Sequence, residues 1–144
     1  MHKYIVLLIL TMMLTEATAF AGAEPTAAVK AQNREVLKMA AAEMSKKLPQ
    51  KIDDYTALVA VEQKNQTLIY IYEINTGAKS DEAVRTDDRP RMENAITKGS
   101  CQSSRVFLDS GIALTYIYNN AATKKEMFRF DIDSERCKTA GYDY

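Results

Sequence analysis

Residues 1–21 have the pattern of a cleavable secretory signal peptide, which decides the compartment in which the rest of the chain folds. A basic residue near the start is followed by an apolar run over residues 4–14, and Ala19 and Ala21 supply the small side chains that signal peptidase accepts before the cut. The apolar run is shorter than the roughly 20 residues that a membrane span needs. An uncleaved N-terminal anchor or a buried helix is the alternative. We predict cleavage after Ala21 and a single exported domain over residues 22–144, in the periplasm or outside the cell, with no stable membrane span.

The chain contains two cysteines, Cys101 and Cys137. An even pair in an exported chain is typical of a disulfide, because the compartment is oxidising. Closing a loop of this length stabilises a fold by roughly 3–4 kcal/mol. A redox-active or metal-binding pair is the alternative, but the spacing is not C-x-x-C and no other soft ligand accompanies the two residues. We therefore predict a structural disulfide.

The only histidine, His2, lies within the predicted leader. The exported domain would therefore lack the imidazole of a Ser-His-Asp triad, a Cys-His pair or a histidine metal site. Carboxylates remain for acid–base chemistry, in polar turns and at strand edges where a solvated surface role is usual. These candidates are Asp53, Asp54, Asp81, Glu82, Asp87, Asp88, Asp131, Asp133 and Glu135. The pattern predicts no enzymatic activity, no cofactor and no bound metal.

Charge balance argues against nucleic acid as a partner. Lys and Arg together number 19, as do Asp and Glu. Nucleic-acid-binding domains normally have a basic excess or a basic patch.

Hydrophobic periodicity predicts two helix–strand–strand units. Leu37, Ala41, Met44 and Leu48 recur at helical spacing and predict a helix over residues 28–47. Runs rich in β-branched and aromatic residues predict strands. The predicted strands cover residues 55–62, 67–75, 112–119 and 126–133, and the second helical region begins near Pro90 and ends at Gly99, with a further turn over 106–108 closed by Gly111.

This order of elements predicts an α+β fold with one four-stranded antiparallel sheet and helices packed on one face. The polar stretch over residues 76–89 is expected to be a solvated connection. Cys101, near a helix end, would be joined to a strand end at Cys137.

Tyrosines recur in the two predicted inner strands. Tyr70 and Tyr72 stand in a Leu-Ile-Tyr-Ile-Tyr segment, and Tyr116 and Tyr118 stand in a Leu-Thr-Tyr-Ile-Tyr segment. Tyrosines on neighbouring strands usually pack against one another, but on an uncovered face they form a binding surface. A nearby basic group includes Arg89 and Arg91, which could grip a carboxylate or phosphate. We regard these six side chains as the candidate binding surface, with core packing as the alternative for the tyrosines.

Several scattered positions resemble a pattern seen in small exported proteobacterial proteins of unassigned function. They are Leu48-Pro49, Asp53 or Asp54, Thr56, the strand at 68–72, Cys101, Gly111, the segment at 116–118 and Cys137. Such proteins often have Asp-x-x-Gly between the last two strands, whereas this chain has Asn119 to Thr123 there. The resemblance implies a fold and a compartment, and no activity.

Together these features favour a non-enzymatic exported protein that binds another protein of the periplasm or envelope. It would act as an accessory of a secretion or envelope system, or as an inhibitor or immunity-type protein. A carboxylate-based glycan hydrolase and a small-ligand carrier are the alternatives.

Overall fold

The computed structural model describes residues 24–142, so the predicted signal peptide lies outside the described residues. The helices are α1 (Ala27–Ser45), α2 (Asp81–Asp87), α3 (Arg89–Ser103), α4 (Arg105–Asp109) and α5 (Ser134–Thr139). The strands are β1 (Gln50–Lys51), β2 (Thr56–Lys64), β3 (Thr67–Ile74), β4 (Ala113–Asn120) and β5 (Glu126–Ile132). Across residues 24–142, no helix combines the length and the apolar character needed to cross a membrane.

The sheet has five strands in the order β1-β2-β3-β4-β5, and its two central strands are parallel. The remaining neighbours pair in an antiparallel way. The α+β class is confirmed, but the predicted four-stranded antiparallel sheet is wrong in two details. The chain crosses from β3 to β4 through α2, α3 and α4, and such a helical crossover makes the two strands run in the same direction. The edge strand β1 has only two residues, both exposed, and therefore has no hydrophobic pattern to detect.

The two similar tyrosine segments lie side by side in register. Tyr70 pairs with Tyr116 and Tyr72 pairs with Tyr118. Because side chains alternate along a strand, these four tyrosines point to the same face of the sheet.

All the helices pack on that tyrosine-bearing face. In one buried cluster, Leu37 of α1, Leu108 of α4 and the two cysteines meet Leu68 and Leu114 of the central strands. In a second buried cluster, Val84 of α2 meets Tyr118, Phe128 and Phe130. The main core therefore lies between one layer of helices and one face of the sheet.

The helices differ from the expected ones between residues 76 and 103. The stretch predicted to be a solvated connection contains α2, which begins after Ser80, whose Oγ accepts a hydrogen bond from the Ala83 amide. Helix α3 continues through Gly99, the residue predicted to end it. Buried Ser100 and Cys101 follow directly, so tertiary packing outweighs the roughly 1 kcal/mol by which glycine disfavours a helix.

The cysteines form the predicted disulfide, and the bridge joins two helices. Cys101 and Cys137 have Cα atoms 5.6 Å apart and are 0% and 2% exposed. Cys137 lies in α5, which begins where the Oδ1 atom of Asp133 accepts a hydrogen bond from the Arg136 amide. The expected strand end at Cys137 is therefore wrong, and the bridge fixes α5 against α3.

Candidate functional site

The middle of the helix-covered face is left partly open. Helix α1 packs over β2 and β3, and α3 packs over β5. Between them lie Tyr70, Tyr72 and Tyr116, which are only partly buried. Met44 from α1 and Ile96 from α3 are also partly buried and contact the same core. An apolar surface therefore remains accessible along the central strands.

A cleft of about 640 Å³ opens at one end of this surface. Tyr72 and Tyr118 lie on the sheet side of the cleft, and Val84 and Met92 line it from α2 and α3. The other lining residues are Ile52, Asp53, Tyr55, Thr56, Ile74, Asn75, Thr76, Lys79, Asp88 and Arg91. Its volume lies within the range of about 300–1,000 Å³ found for ligand pockets.

The turn between β1 and β2 holds two apolar side chains at the rim of the cleft. Asp53 Oδ1 accepts hydrogen bonds of 2.8 Å from the amides of Tyr55 and Thr56. These bonds lower the pKa of Asp53, because they stabilise the ionised carboxylate. The turn leaves Ile52 51% exposed and Tyr55 68% exposed. Exposed apolar side chains beside a cleft are available to a partner at little cost in desolvation.

The tyrosine rings form a stack across β3 and β4. The ring centroids of Tyr70 and Tyr116 are 5.2 Å apart, and those of Tyr72 and Tyr118 are 4.7 Å apart. Tyr118 also meets Phe128 edge-on at 6.3 Å. Such offset and edge-to-face contacts are favourable arrangements of aromatic rings. Tyr72 and Tyr118 of this stack give the cleft an aromatic wall.

The tyrosine hydroxyls have different surroundings. The Tyr116 hydroxyl is 2.9 Å from Ser100 Oγ, within hydrogen-bond distance. In the part of the chain from Glu24 to Tyr142, the hydroxyls of Tyr72 and Tyr118 have no such partner. Burial raises the pKa of Tyr72 to about 12, and the pKa of Tyr118 rises for the same reason. Both side chains therefore stay protonated and able to donate at neutral pH.

The structure separates the two candidate arginines. Arg91 lines the cleft and lies 3.4 Å from Asp88. Arg89 instead lies over the ring of Phe130, with its guanidinium carbon 5.5 Å from the ring centroid. The arginines lie close in sequence but face different surroundings.

Several candidate carboxylates have structural contacts. Asp81 accepts a 2.7 Å hydrogen bond from the buried Asn120, and Asp131 accepts one of 2.6 Å from Thr115. Asp133 caps α5. Among the described residues, no group of three or more His, Cys, Asp or Glu side chains could hold a metal ion.

The cleft contains residues that sequence reasoning did not assign to a site. Ile52 lies in a turn and Val84 in a polar segment, where no hydrophobic period marks them, and Tyr55 was predicted to begin a strand but lies in the turn before β2. Their meeting depends on the crossover and on the turn at Asp53. The available signal was weak, since it consisted of single apolar residues within polar stretches.

The fold is similar to that of three exported or secretion-related proteins of known structure. A protein described as secreted, from Pseudomonas aeruginosa, has a TM-score of 0.67 at 19% identity, covering 81% of this chain and 99% of that one. The pilotin EpsS of the Vibrio vulnificus type 2 secretion system has a TM-score of 0.60 at 14% identity, covering 78% and 97%. The type II secretion system pilotin AspS of Vibrio cholerae has a TM-score of 0.55 at 18% identity, covering 77% and 97%. At these identities the likeness concerns the fold alone.

The sequence itself matches a family model over residues 31–128. These residues extend from α1 into β5 and include both tyrosine strands and the cleft. No curated protein matches the sequence at a significant level. Because the match covers more than half of the chain, the protein belongs to the family of the domain of unknown function DUF8479.

Proposed function

We propose that this chain is an exported, non-enzymatic protein that binds another protein of the periplasm or envelope through the cleft. The observation that carries the proposal is an open cleft with an aromatic wall and exposed apolar side chains at its rim. Tyrosine is enriched in protein interfaces because it offers a large apolar area together with a hydrogen-bonding group. Met44 and Met92 flank the surface, and methionine adapts its shape to an irregular partner.

The likeness to two pilotins favours a secretion-system accessory over an inhibitor or immunity-type protein. Both neighbours share this architecture over most of their length, although fold alone does not determine function. The partner would be a protein segment with apolar side chains, because the cleft is largely apolar and its two cations, Lys79 and Arg91, are paired with Asp88.

Photo-crosslinking in cells of the natural host tests this proposal. A photoreactive amino acid at Tyr55, on the cleft rim, is expected to give one adduct of defined mass. The same amino acid at Met39, which is 66% exposed on α1 and does not line the cleft, is the control. Ile52→Asp is expected to abolish the Tyr55 adduct, because it places a charge on the apolar rim. Met39→Asp makes the same kind of change at an exposed site elsewhere and should leave the adduct intact.

Absence of an adduct at Tyr55 would count against the proposal. An adduct of equal strength at both positions, unaffected by Ile52→Asp, would also count against it, because it would indicate non-specific contact. The folding of each variant is checked by circular dichroism.

A small-ligand carrier remains a second candidate because of the size of the cleft. Native mass spectrometry of protein purified from its host tests it. A bound small molecule that is lost in Ile52→Asp would favour the carrier, and a ligand-free mass would disfavour it.

A further inference from the structure

Tyr118 combines a largely buried ring with a hydroxyl that is available to a ligand. Its side chain is 8% exposed, yet it lines the cleft. Within residues 24–142 its hydroxyl has no hydrogen-bond partner, whereas the neighbouring Tyr116 hydroxyl lies within hydrogen-bond distance of Ser100. Among the described residues, the buried side-chain atoms without a hydrogen-bond partner are Gln66 Oε1 and Thr97 Oγ1, so the Tyr118 hydroxyl keeps accessible surface. It is therefore free to donate a hydrogen bond to a ligand group that enters the cleft.

Tyr72 provides a second hydroxyl beside the first. The two rings lie nearly parallel, with an interplanar angle of 11°, and both line the cleft. Because their strands are parallel and in register, the two side chains extend from the sheet in the same direction. The pair therefore offers two neighbouring donors to one acceptor group.

Asp53 lines the same cleft and offers the complementary acceptor. Its carboxylate accepts two backbone amides, and a carboxylate has about four lone-pair sites, so it can accept a further hydrogen bond. Asp53, Tyr72 and Tyr118 all line this cleft. Donors and an acceptor thus face the same cavity.

The charges at the cleft favour an uncharged ligand group. Lys79 lies 3.6 Å and Arg91 lies 3.4 Å from the carboxylate of Asp88, so both cations have an acidic partner. A carboxylate entering the cleft would have to displace Asp88 from them and would face Asp53. An amide fits better, since its carbonyl oxygen accepts hydrogen bonds and its N–H group donates one.

We propose, as a refinement that rests on the proposed function, that the cleft recognises an uncharged amide group of the partner. The hydroxyls of Tyr72 and Tyr118 donate to the carbonyl oxygen of the amide, and Asp53 accepts from its N–H group. The amide is a peptide unit of the partner or the side chain of an Asn or Gln. Alkyl groups next to the amide contact Val84 and Met92.

An NMR titration with N-acetyl-L-leucine methylamide tests this inference without the partner. The probe has two uncharged amides and an apolar side chain, and N-acetyl-L-leucine is the charged comparison. We expect shift changes at cleft residues with the methylamide. Tyr72→Phe and Tyr118→Phe should each weaken its binding about three- to tenfold, the effect of losing one neutral hydrogen bond. Tyr142→Phe removes a hydroxyl outside the cleft that is bonded to Asn94, and should leave binding unchanged.

Three results would overturn the inference. They are no shift change at the cleft of the wild-type protein, unchanged affinity in both cleft Phe variants, and tighter binding of the carboxylate probe than of the methylamide. Melting temperatures establish that the variants are folded, and Tyr72→Phe carries the test if Tyr118→Phe does not fold. Each of these results can occur while the Tyr55 adduct persists in cells, so failure of this inference is distinguishable from failure of the proposed function.

Discussion

The disulfide allows a quantitative prediction of stability. Cys101→Ala combined with Cys137→Ala opens a loop of sequence separation 36. In the chain-entropy model, a loop of this length stabilises the folded state by about 4 kcal/mol. Both sulfurs are buried, so replacing them with methyl groups adds a cavity term of up to about 1 kcal/mol per site. The expected loss is therefore about 4–6 kcal/mol, a large part of the roughly 5–15 kcal/mol that holds a typical domain folded.

Urea denaturation followed by circular dichroism measures this loss. Reduction of the wild-type protein is the matched comparison, because it opens the same loop without removing the sulfur atoms. The reduced protein should lose about 4 kcal/mol and the double variant slightly more. The m-value should rise in both cases, since an uncrosslinked unfolded chain exposes more surface.

The structure also defines the result that would refute this reasoning. Cys137 is the one buried residue of α5, so α5 could detach locally once the bridge is open. In that case the reduced protein would lose less than about 1 kcal/mol of global stability, and hydrogen exchange would become fast in α5 alone. That outcome would mean that the bridge anchors one helix and does not stabilise the whole domain.

Three further predictions concern single residues. Gly111 has φ +84°, and a Cβ atom there would lie 2.5 Å from Pro25 Cγ. Gly111→Ala should therefore lower the free energy of unfolding by about 1–3 kcal/mol in urea denaturation. Gly99 lies in a helix and a Cβ atom there would have no neighbour within 4 Å, so Gly99→Ala should raise the free energy of unfolding by about 0.5–1 kcal/mol. The pKa of Asp53 is lower in the folded protein than the value of about 3.9 in the unfolded chain. Asp53 therefore contributes stability above about pH 3.9, and this contribution is lost as the pH falls through the folded-state pKa. The melting temperature of Asp53→Asn should accordingly depend less on pH in this acidic range than that of the wild type. Burial raises the pKa of Tyr72 to about 12. An absorbance titration of tyrosinate should therefore show a late step that is absent from Tyr72→Phe, and stability should fall from pH 10 upward. A Tyr72 step near pH 10 would contradict its burial.

Four of the five strands were predictable from sequence to within two residues, because β-branched and aromatic side chains alternate there. The pairing of the strands was not predictable, because the relative direction of β3 and β4 depends on the helical crossover between them and not on the local sequence pattern. The segments at Tyr70 and Tyr116 were recognised as similar, yet similarity does not reveal that they lie side by side in register. Core positions such as Leu37 and Phe128 follow directly from periodicity.

The polar elements were harder to predict. Helix α2 has one buried residue, Val84, so it lacks an apolar stripe. Gly99 is a common stop signal, but the disulfide and the contact of Ser100 with Tyr116 hold α3 in place beyond it. The cleft joins Val84 to Ile52 and Tyr55, which are distant in sequence. Six residues were proposed from sequence as a binding surface. Tyr72, Tyr118 and Arg91 line the cleft. Tyr70 and Tyr116 stack on each other outside its lining, and Arg89 contacts Phe130.

The Tyr118 hydroxyl is expected to contribute to binding and not to the stability of the free protein. On the neighbouring strand, Phe128 and Phe130 fill similar buried positions without a hydroxyl. The Tyr118 hydroxyl makes no hydrogen bond within residues 24–142, and it is not among the buried unsatisfied atoms there, so water can satisfy it. Tyr118→Phe should therefore change the free energy of unfolding by less than about 0.5 kcal/mol in urea denaturation, while it weakens binding of the amide probe. Tyr116→Phe is the comparison. It should lower the free energy of unfolding, because the Ser100 hydroxyl loses the oxygen to which it donates a hydrogen bond. A fall in stability for Tyr118→Phe equal to that for Tyr116→Phe would mean that the Tyr118 hydroxyl is satisfied within the protein. Unchanged stability combined with a loss of binding is the pattern expected of a hydroxyl that acts in recognition.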